Sequence, residues 1–505
     1  MSQRIIKNSI FVLLLIAGGK VLSFLRDVII SSQFGSTYQT DAYFAANNIP
    51  SIIFTAILSS YIVLLIPNYK KIQVKDGVEE ANIFVSKVIN LFFIVSLLLS
   101  FLGFYFIEEL LYLVAPGFND ETRELGVVIG KILILSFPFS SATLILSTIS
   151  NANNKYYAPH IIPAFSAFFI IVCILLFSDE YGIITLAVAG VAAFFFQLLI
   201  QIFISKNHFK YTIKVNFFDK NIKKMSWLVL PIFLGFSIDQ INLLVNSIIS
   251  SNLAEGSLSS LNYAQRLQAT INGTFSTALI TVIYPLISGL LAENNIERLT
   301  SIMTKSLRGV FLVLFPIIVF LSLNSEAFVA IVYYRGEFDS TALEQTSSIF
   351  FFYSFNVLFI SLREVILRLY YIKENTKMPF ITSGTSLVIN IVLSLILVKY
   401  LDVSGLALAN LVATAISTLL LFTLISSNLK ININLAQILK FGKTVAMPML
   451  IFISLQILLN RYFDIAHNII FFLVAFCFSV IVYALLLLIF KQKDVLQLIK
   501  MIMRS

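Results

Sequence analysis

APHIIPAFSAFFIIVCILLFSDEYGIITLAVAGVAAFFFQLLIQIFIS, residues 158–205, holds two apolar runs, near 158–177 and 182–204, parted by a short break that carries Asp179 and Glu180. Wound as a helix rising 1.5 Å per residue, each run crosses a hydrocarbon layer roughly 30 Å thick. Working outward in both directions, further runs fall near 9–32, 41–66, 83–107 and 125–149 before it, and near 225–251, 259–289, 306–331, 346–371, 379–398, 404–426, 444–459 and 467–490 after it. The predicted fold class is therefore all-α, a polytopic membrane protein with about 14 transmembrane helices. Composition agrees: 58% of the 505 residues are hydrophobic and 12% charged, against about a quarter charged in an average soluble domain.

The formal net charge of +9 would suit nucleic acid only if it gathered on one basic face. It sits instead in alternate loops, and no nucleic-acid partner is expected. Of the 35 Lys and Arg, 24 fall in the N-terminus, the even-numbered loops and the C-terminus, counting residues at span edges with their loop. The odd-numbered loops hold four, Arg123, Arg335, Lys399 and Arg461. The positive-inside rule then places both termini in the cytoplasm. Arg4 and Lys7 before an apolar run imitate a signal peptide, but the run continues through Lys20 and Arg26 to Ser31, so it is read as the first span. No loop exceeds about twenty residues, which leaves no room for the extramembrane domain a polymerase or transferase needs.

The halves repeat. IISS occurs at 29–32 and again at 248–251, and Ala45 with Ala264, Pro67 with Pro285, Lys87 with Lys305, Gly117 with Gly336, and Pro159 with Pro379 keep nearly that spacing. An offset of six helices inserts both copies the same way, as in parallel-repeat transporters. The expected architecture is two pseudo-symmetric six-helix bundles, 1–220 and 221–428, with helices thirteen and fourteen and a cytoplasmic tail over 429–505. A central cleft between such halves can open to either side by rocking.

Charge inside a bilayer costs several kcal/mol and needs a partner or a wet cavity. Lys20, Arg26 and Asp27 lie in the first predicted helix, Asp41 opens the second, Asp239 sits midway along the seventh and Arg266 about two turns into the eighth, while Lys131, Arg363, Glu364 and Arg368 add to these. If the halves face each other, Lys20, Arg26 and Arg266 converge on the cleft, and three cations suit a diphosphate, which guanidinium groups bind bidentately. The competing reading is structural: ion pairs of Arg26 with Asp41 or Arg266 with Asp239, or snorkelling to an interface. Lys87, Arg363, Glu364 and Arg368 read as structural, with Glu364 and Arg368 one helical turn apart.

No cofactor is expected. Gly18, Gly19 and Lys20 do not make a phosphate loop, because Leu14 stands where its first glycine belongs. Transport is then passive or driven by the membrane potential or a cation gradient (Na+ or H+), and Asp27, Asp41, Asp239 and Glu364 are the carboxylates available for coupling. His160, His208 and His467 are scattered and read as interfacial or loop residues, and Cys173 and Cys477 as packing residues without a disulfide or metal framework. Catalysis is not expected.

The run 20–50, KVLSFLRDVIISSQFGSTYQTDAYFAANNIP, resembles the opening signature of the MurJ/MviN family of lipid II flippases through Arg26, Asp27, Phe34, Gly35, Asp41, Ala42 and Pro50. EGSLSSLNYAQRL at 255–267 and YRGEFDSTAL at 334–343 are similar to two further family segments, so the resemblance runs through both halves. Three positions depart: Lys20 for the first arginine of the opening pattern, Phe54 where the second helix usually carries an arginine, and Gln265 for the aspartate before Arg266. The resemblance implies a flippase of the multidrug, oligosaccharide-lipid and polysaccharide exporter superfamily. It would carry undecaprenyl-diphosphate-linked lipid II to the outer leaflet by alternating access, with Arg266 matching a cavity arginine of the family; Lys20, Arg26, Asp27, Asp41 and Arg266 are the substrate-binding candidates, and Asp239 and Glu364, read from their charge inside the spans, the coupling candidates. Implied partners are the lipid-linked glycan, membrane lipids and other cell-envelope biosynthesis proteins. An O-antigen, capsule or exopolysaccharide repeat unit on the same carrier is the alternative cargo, and a multidrug antiporter the alternative class.

Overall fold

A backbone inside hydrocarbon must satisfy its own N–H and C=O groups, so apolar runs of this length can only coil into helices. They do so in the structure, a computed structural model that describes residues 2–213, 219–293, 295–429, 435–462 and 469–490. His467, the first residues of the last predicted span and the predicted tail lie outside the described residues. The order is α1 (Ser2–Phe34), α2 (Tyr38–Asp76), α3 (Val78–Tyr105), α4 (Ile107–Val114), α5 (Asp120–Leu133), a 3₁₀ turn (Ile134–Ser136), α6 (Phe137–Ala152), α7 (Ala158–Tyr181), α8 (Ile184–Ser205) and α9 (Lys220–Ser251). Then follow α10 (Ser257–Ala292), α11 (Ile296–Leu323), α12 (Ser325–Tyr333), α13 (Ser340–Ile372), α14 (Lys377–Leu401), α15 (Ser404–Leu429), α16 (Leu435–Tyr462) and α17 (Ile469–Ile489). Among the described residues no strand occurs.

Among the described residues twelve stretches, with α5 and α6 taken as one rod, are long and apolar enough to cross a membrane. With α1 and α10, of 33 and 36 residues, they make the fourteen spans expected, while α4 and α12 are short helices outside that set. Large apolar side chains point outward: Phe101 is 73% exposed and Trp227 71%. That is what a surface solvated by lipid requires.

The repeat is visible in the element order. Helix starts at Tyr38, Val78, Ile107, Asp120, Ala158 and Ile184 recur at Ser257, Ile296, Ser325, Ser340, Lys377 and Ser404, each 218–220 residues later. One difference has a local cause. Pro138 has no N–H to donate to the Ile134 carbonyl and its ring crowds that oxygen, so the rod breaks into the 3₁₀ turn. The freed carbonyl accepts from Ser100 Oγ on α3 at 2.8 Å. The corresponding rod α13 contains no proline and runs unbroken for 33 residues. Expected span 306–331 also ends differently: Asn324 turns its side-chain amide to the Phe320 carbonyl at 2.8 Å, the backbone leaves the helix there, and α12 begins anew. At its other end α11 reaches back to Ile296, where Asn295 accepts from the Arg298 amide.

The chain forms two compact units, 1–259 with 335–339, and 260–334 with 340–505. In the first, α2 is the hub, packed by α3, α5, α6 and α9, while α7 joins α1 to α8. In the second, Ile287, Met303, Val310, Leu314, Leu369 and Leu421 centre a core shared by α10, α11, α13 and α15. A separate cluster around Phe452, Val445 and Leu487 fastens α16 and α17 to α11.

Candidate functional site

Within the first unit, α1 carries the charges. Lys20 is exposed, whereas Arg26 and Asp27 are 26% and 11% exposed at the side chain. Neighbours on a helix diverge by about 100°, yet these two bend together: Arg26 Nη2 and Nε both donate to Asp27 Oδ1, at 2.8 and 3.1 Å. The ion-pair partner of Arg26 is thus Asp27, adjacent in sequence, in place of Asp41.

Asp41, buried in the first turn of α2, is held by the start of α10. Its Oδ2 accepts from the Gly256 amide at 2.8 Å, and its Oδ1 from the Ser259 amide at 2.7 Å and the Ser259 hydroxyl at 2.6 Å. Four amides at a helix N-terminus lack intrahelical acceptors and carry the positive end of the helix dipole. A carboxylate there caps the helix from another part of the chain.

The segments around this cap approach at backbone level. Ser36 Oγ donates to the Gly256 carbonyl, the Tyr38 amide donates to Glu255 Oε1, and the Glu337 amide donates to the Ser32 carbonyl, at 2.8, 2.9 and 2.8 Å. Gly35, Gly256 and Gly336 all adopt positive φ (62°, 82° and 60°), and a Cβ on any of them would collide with a carbonyl oxygen, of Glu337, Ser36 and Ser32 respectively. The three motif segments, Phe34–Gly35, Gly256–Ser259 and Arg335–Phe338, therefore meet in one knot of the first unit. Sequence motifs announced these residues but not their shared purpose.

The remaining charges have individual settings. Asp239 is exposed on α9 and Arg266 partly buried on α10. Glu364 and Arg368 pair at 2.9 Å along α13, each one-third exposed, and Arg363 donates to Ser383 Oγ. Lys131 lies 5.6 Å from the Phe104 ring centroid. Lys87 binds Asp219 at 2.6 Å, a residue the sequence reading passed over, although an Asp just before an apolar run signals an N-cap. Asp219 also accepts from the Asn221 and Ile222 amides at the start of α9. Burial pushes its carboxyl up, but the Lys87 ammonium and those amides outweigh burial and leave it below the usual carboxylate range. His208 follows α8 with Nε2 3.2 Å from Ser150 Oγ; burial, and then the Lys155 charge, lower it. Phe54, where an arginine was expected by resemblance, is buried with its ring centroid 3.8 Å from that of Phe137. Among the described residues no cluster of His, Cys, Asp or Glu is arranged to hold a metal ion.

Comparison with known proteins places the chain in a family. A family model described as "Lipid II flippase MurJ" matches residues 30–498. A probable lipid II flippase MurJ of Buchnera aphidicola subsp. Baizongia pistaciae is 28% identical over 432 residues, 83% of each chain. One of Rhizobium meliloti is 28% identical over 422 residues, 80% of this chain and 77% of that one. A solved structure of lipid II flippase MurJ in an inward closed conformation superposes with a TM-score of 0.83 at 28% identity, covering 97% of this chain and all of the other. An inward-facing multidrug resistance MATE transporter of the MOP superfamily shares the fold at a TM-score of 0.63 and 14% identity, over 80% of this chain and 93% of its own. This multi-pass membrane chain, with its half-buried arginine in the first span and its carboxylate-capped eighth, belongs to the lipid II flippase MurJ family.

Proposed function

We propose that the chain carries lipid II, the undecaprenyl-diphosphate-linked peptidoglycan precursor, from the cytoplasmic to the outer leaflet by alternating access. One observation carries this reading: in a chain of this family, a guanidinium, Arg26, is kept inside a membrane-spanning helix, partly exposed and oriented by Asp27 through Nε and Nη2. The lipid's scarcely polar tail can ride in hydrocarbon, so the diphosphate is the part that needs help, and guanidinium binds phosphate oxygens at any working pH. Lys20 and Arg266 supply further positive charge to the same group. Asp41 acts on α10 rather than on the lipid.

Both termini are cytoplasmic in this reading, and the protein is a transporter working without a cofactor. Coupling to the membrane potential contributes about 2.3 kcal/mol per charge per 100 mV. Asp239 and Glu364 are the carboxylates on which a cation would act. A lipid-linked O-antigen, capsule or exopolysaccharide repeat unit is the second reading, favoured by Phe54 and Gln265 where the family pattern has charge. Expression of the chain in a bacterium depleted of its essential lipid II flippase tests the choice. Rescue of growth supports lipid II; no rescue with full membrane expression favours the other glycan.

A further inference from the structure

Inside the first unit, between α2, α6, α7 and α8, lies a cavity of about 360 Å³, within the usual range of ligand pockets. Its walls carry seven hydroxyls, from Ser51 and Thr55 on α2 to Ser140 and Thr143 on α6, and two amides, Asn47 and Gln197. Among the described residues lining it, none is charged. Between the polar groups stand apolar faces, chiefly the Phe54–Phe137 pair.

Hydroxyls in membrane helices commonly bond back to their own backbone, and Ser51 and Ser140 do so, to Asn47 O and Phe137 O. Such a hydroxyl still offers a lone pair to an incoming donor. Thr143 goes further. It is 5% exposed and lines the cavity, and its Oγ1, sealed in the wall, has no hydrogen-bond partner, a state that costs about 1–3 kcal/mol and that a χ1 turn toward an occupant would relieve. Close-packed helices would have no such room. A polar, roomy cavity with no charged residue among its described lining offers a cation or a phosphate no counter-charge, and its hydroxyls make it a poor match to a purely apolar drug.

We infer that this cavity is a glycan subsite: it takes an uncharged, hydroxyl- and amide-bearing sugar of the lipid-linked substrate, whose polar edges meet the Ser, Thr, Asn and Gln groups and whose C–H face meets Phe54 and Phe137. The inference rests on the flippase reading above and adds the part of the substrate that the arginines do not recognise. Its test uses the full chain in lipid nanodiscs and two probes, lipid II and undecaprenyl diphosphate, which share carrier and diphosphate and differ in the glycan with its attached peptide, so that selectivity is assigned to the cavity by the cavity variants.

Wild-type protein should bind lipid II more tightly than undecaprenyl diphosphate. Thr143→Val, nearly isosteric, should weaken lipid II by about threefold to tenfold, the loss expected for one neutral hydrogen bond, and leave undecaprenyl diphosphate unchanged. Thr55→Phe, at an exposed position on the wall, should remove the preference by filling the cavity, and Ser140→Ala serves if Thr143→Val melts early. Arg26→Ala should weaken both probes. Equal affinity of wild type for the two probes, or Thr143→Val and Thr55→Phe weakening both probes or neither, would overturn the glycan subsite and leave the diphosphate reading standing. Binding of neither probe by wild type would overturn the flippase reading and the subsite with it.

Discussion

Replacing Asp41 by Asn removes one acceptor from a group that serves three donors. The two amides of Gly256 and Ser259 sit 2.8 and 2.7 Å from separate oxygens, with the Ser259 hydroxyl at 2.6 Å. Whichever way the new side-chain amide is turned, its NH₂ faces a backbone N–H that cannot accept, while the hydroxyl can rotate to adapt. Hydrogen bonds to a charged group are worth about 1.5–3 kcal/mol, and a negative charge at a helix N-terminus about 0.3–1 kcal/mol. Local opening of the α10 start should therefore become easier by about 2–3 kcal/mol, roughly 30- to 150-fold at 1.36 kcal/mol per decade. Hydrogen–deuterium exchange of the peptide spanning 252–260 reads this directly, because exchange from a locally opened state follows its population. The Asn variant should exchange faster by that factor while peptides of α14 and α15 keep their rates. Protection within threefold of wild type would refute the capping argument.

Other substitutions separate geometry from charge. Gly336→Ala forces a Cβ against the Ser32 carbonyl at φ +60°, so it should lower the melting temperature and disturb the same loop peptides, whereas Gly442→Ala, with nothing within 4 Å of its Cβ, should be neutral or slightly stabilising. Asp219 has a folded pKa below its unfolded value, so its contribution is complete above the ordinary carboxylate range near 4 and is lost as pH falls through the depressed folded value. Melting curves should accordingly show Lys87→Met destabilising at pH 7 and progressively less so in acid; a penalty independent of pH would contradict the pairing. Glu364→Gln breaks a pair one-third exposed on both sides and should shift stability by no more than about 0.5 kcal/mol.

The spans were legible because hydrocarbon thickness sets a length that apolar runs such as 158–177 must meet, and the repeat because IISS and the paired glycines and prolines keep their spacing in both copies. Breaks were harder to see. Asn324 interrupts an apolar run through a side-chain hydrogen bond that composition does not register, whereas Pro138 carried a visible warning in its missing N–H. At the site, Arg26 and Asp41 could be named from their charge in an apolar setting, but their partners could not be deduced. Asp27 is adjacent to Arg26 yet nominally on another helix face, and the groups that hold Asp41 are backbone amides 215 and 218 residues away, which leave no compositional trace. The hydroxyls of the cavity in the first unit are likewise ordinary residues whose meaning depends on four helices leaving space between them.

The central claim is that arginine charge inside the membrane moves a diphosphate-linked lipid. It is tested most directly by reconstituting the purified chain in liposomes with fluorescent lipid II and measuring the rate at which label reaches the opposite leaflet, for wild type, Arg26→Ala and Arg266→Ala at equal reconstitution. Wild type should transfer the label and each variant should do so at least about tenfold more slowly, the loss of roughly one charge-assisted contact. Transfer by both variants at the wild-type rate would contradict the claim.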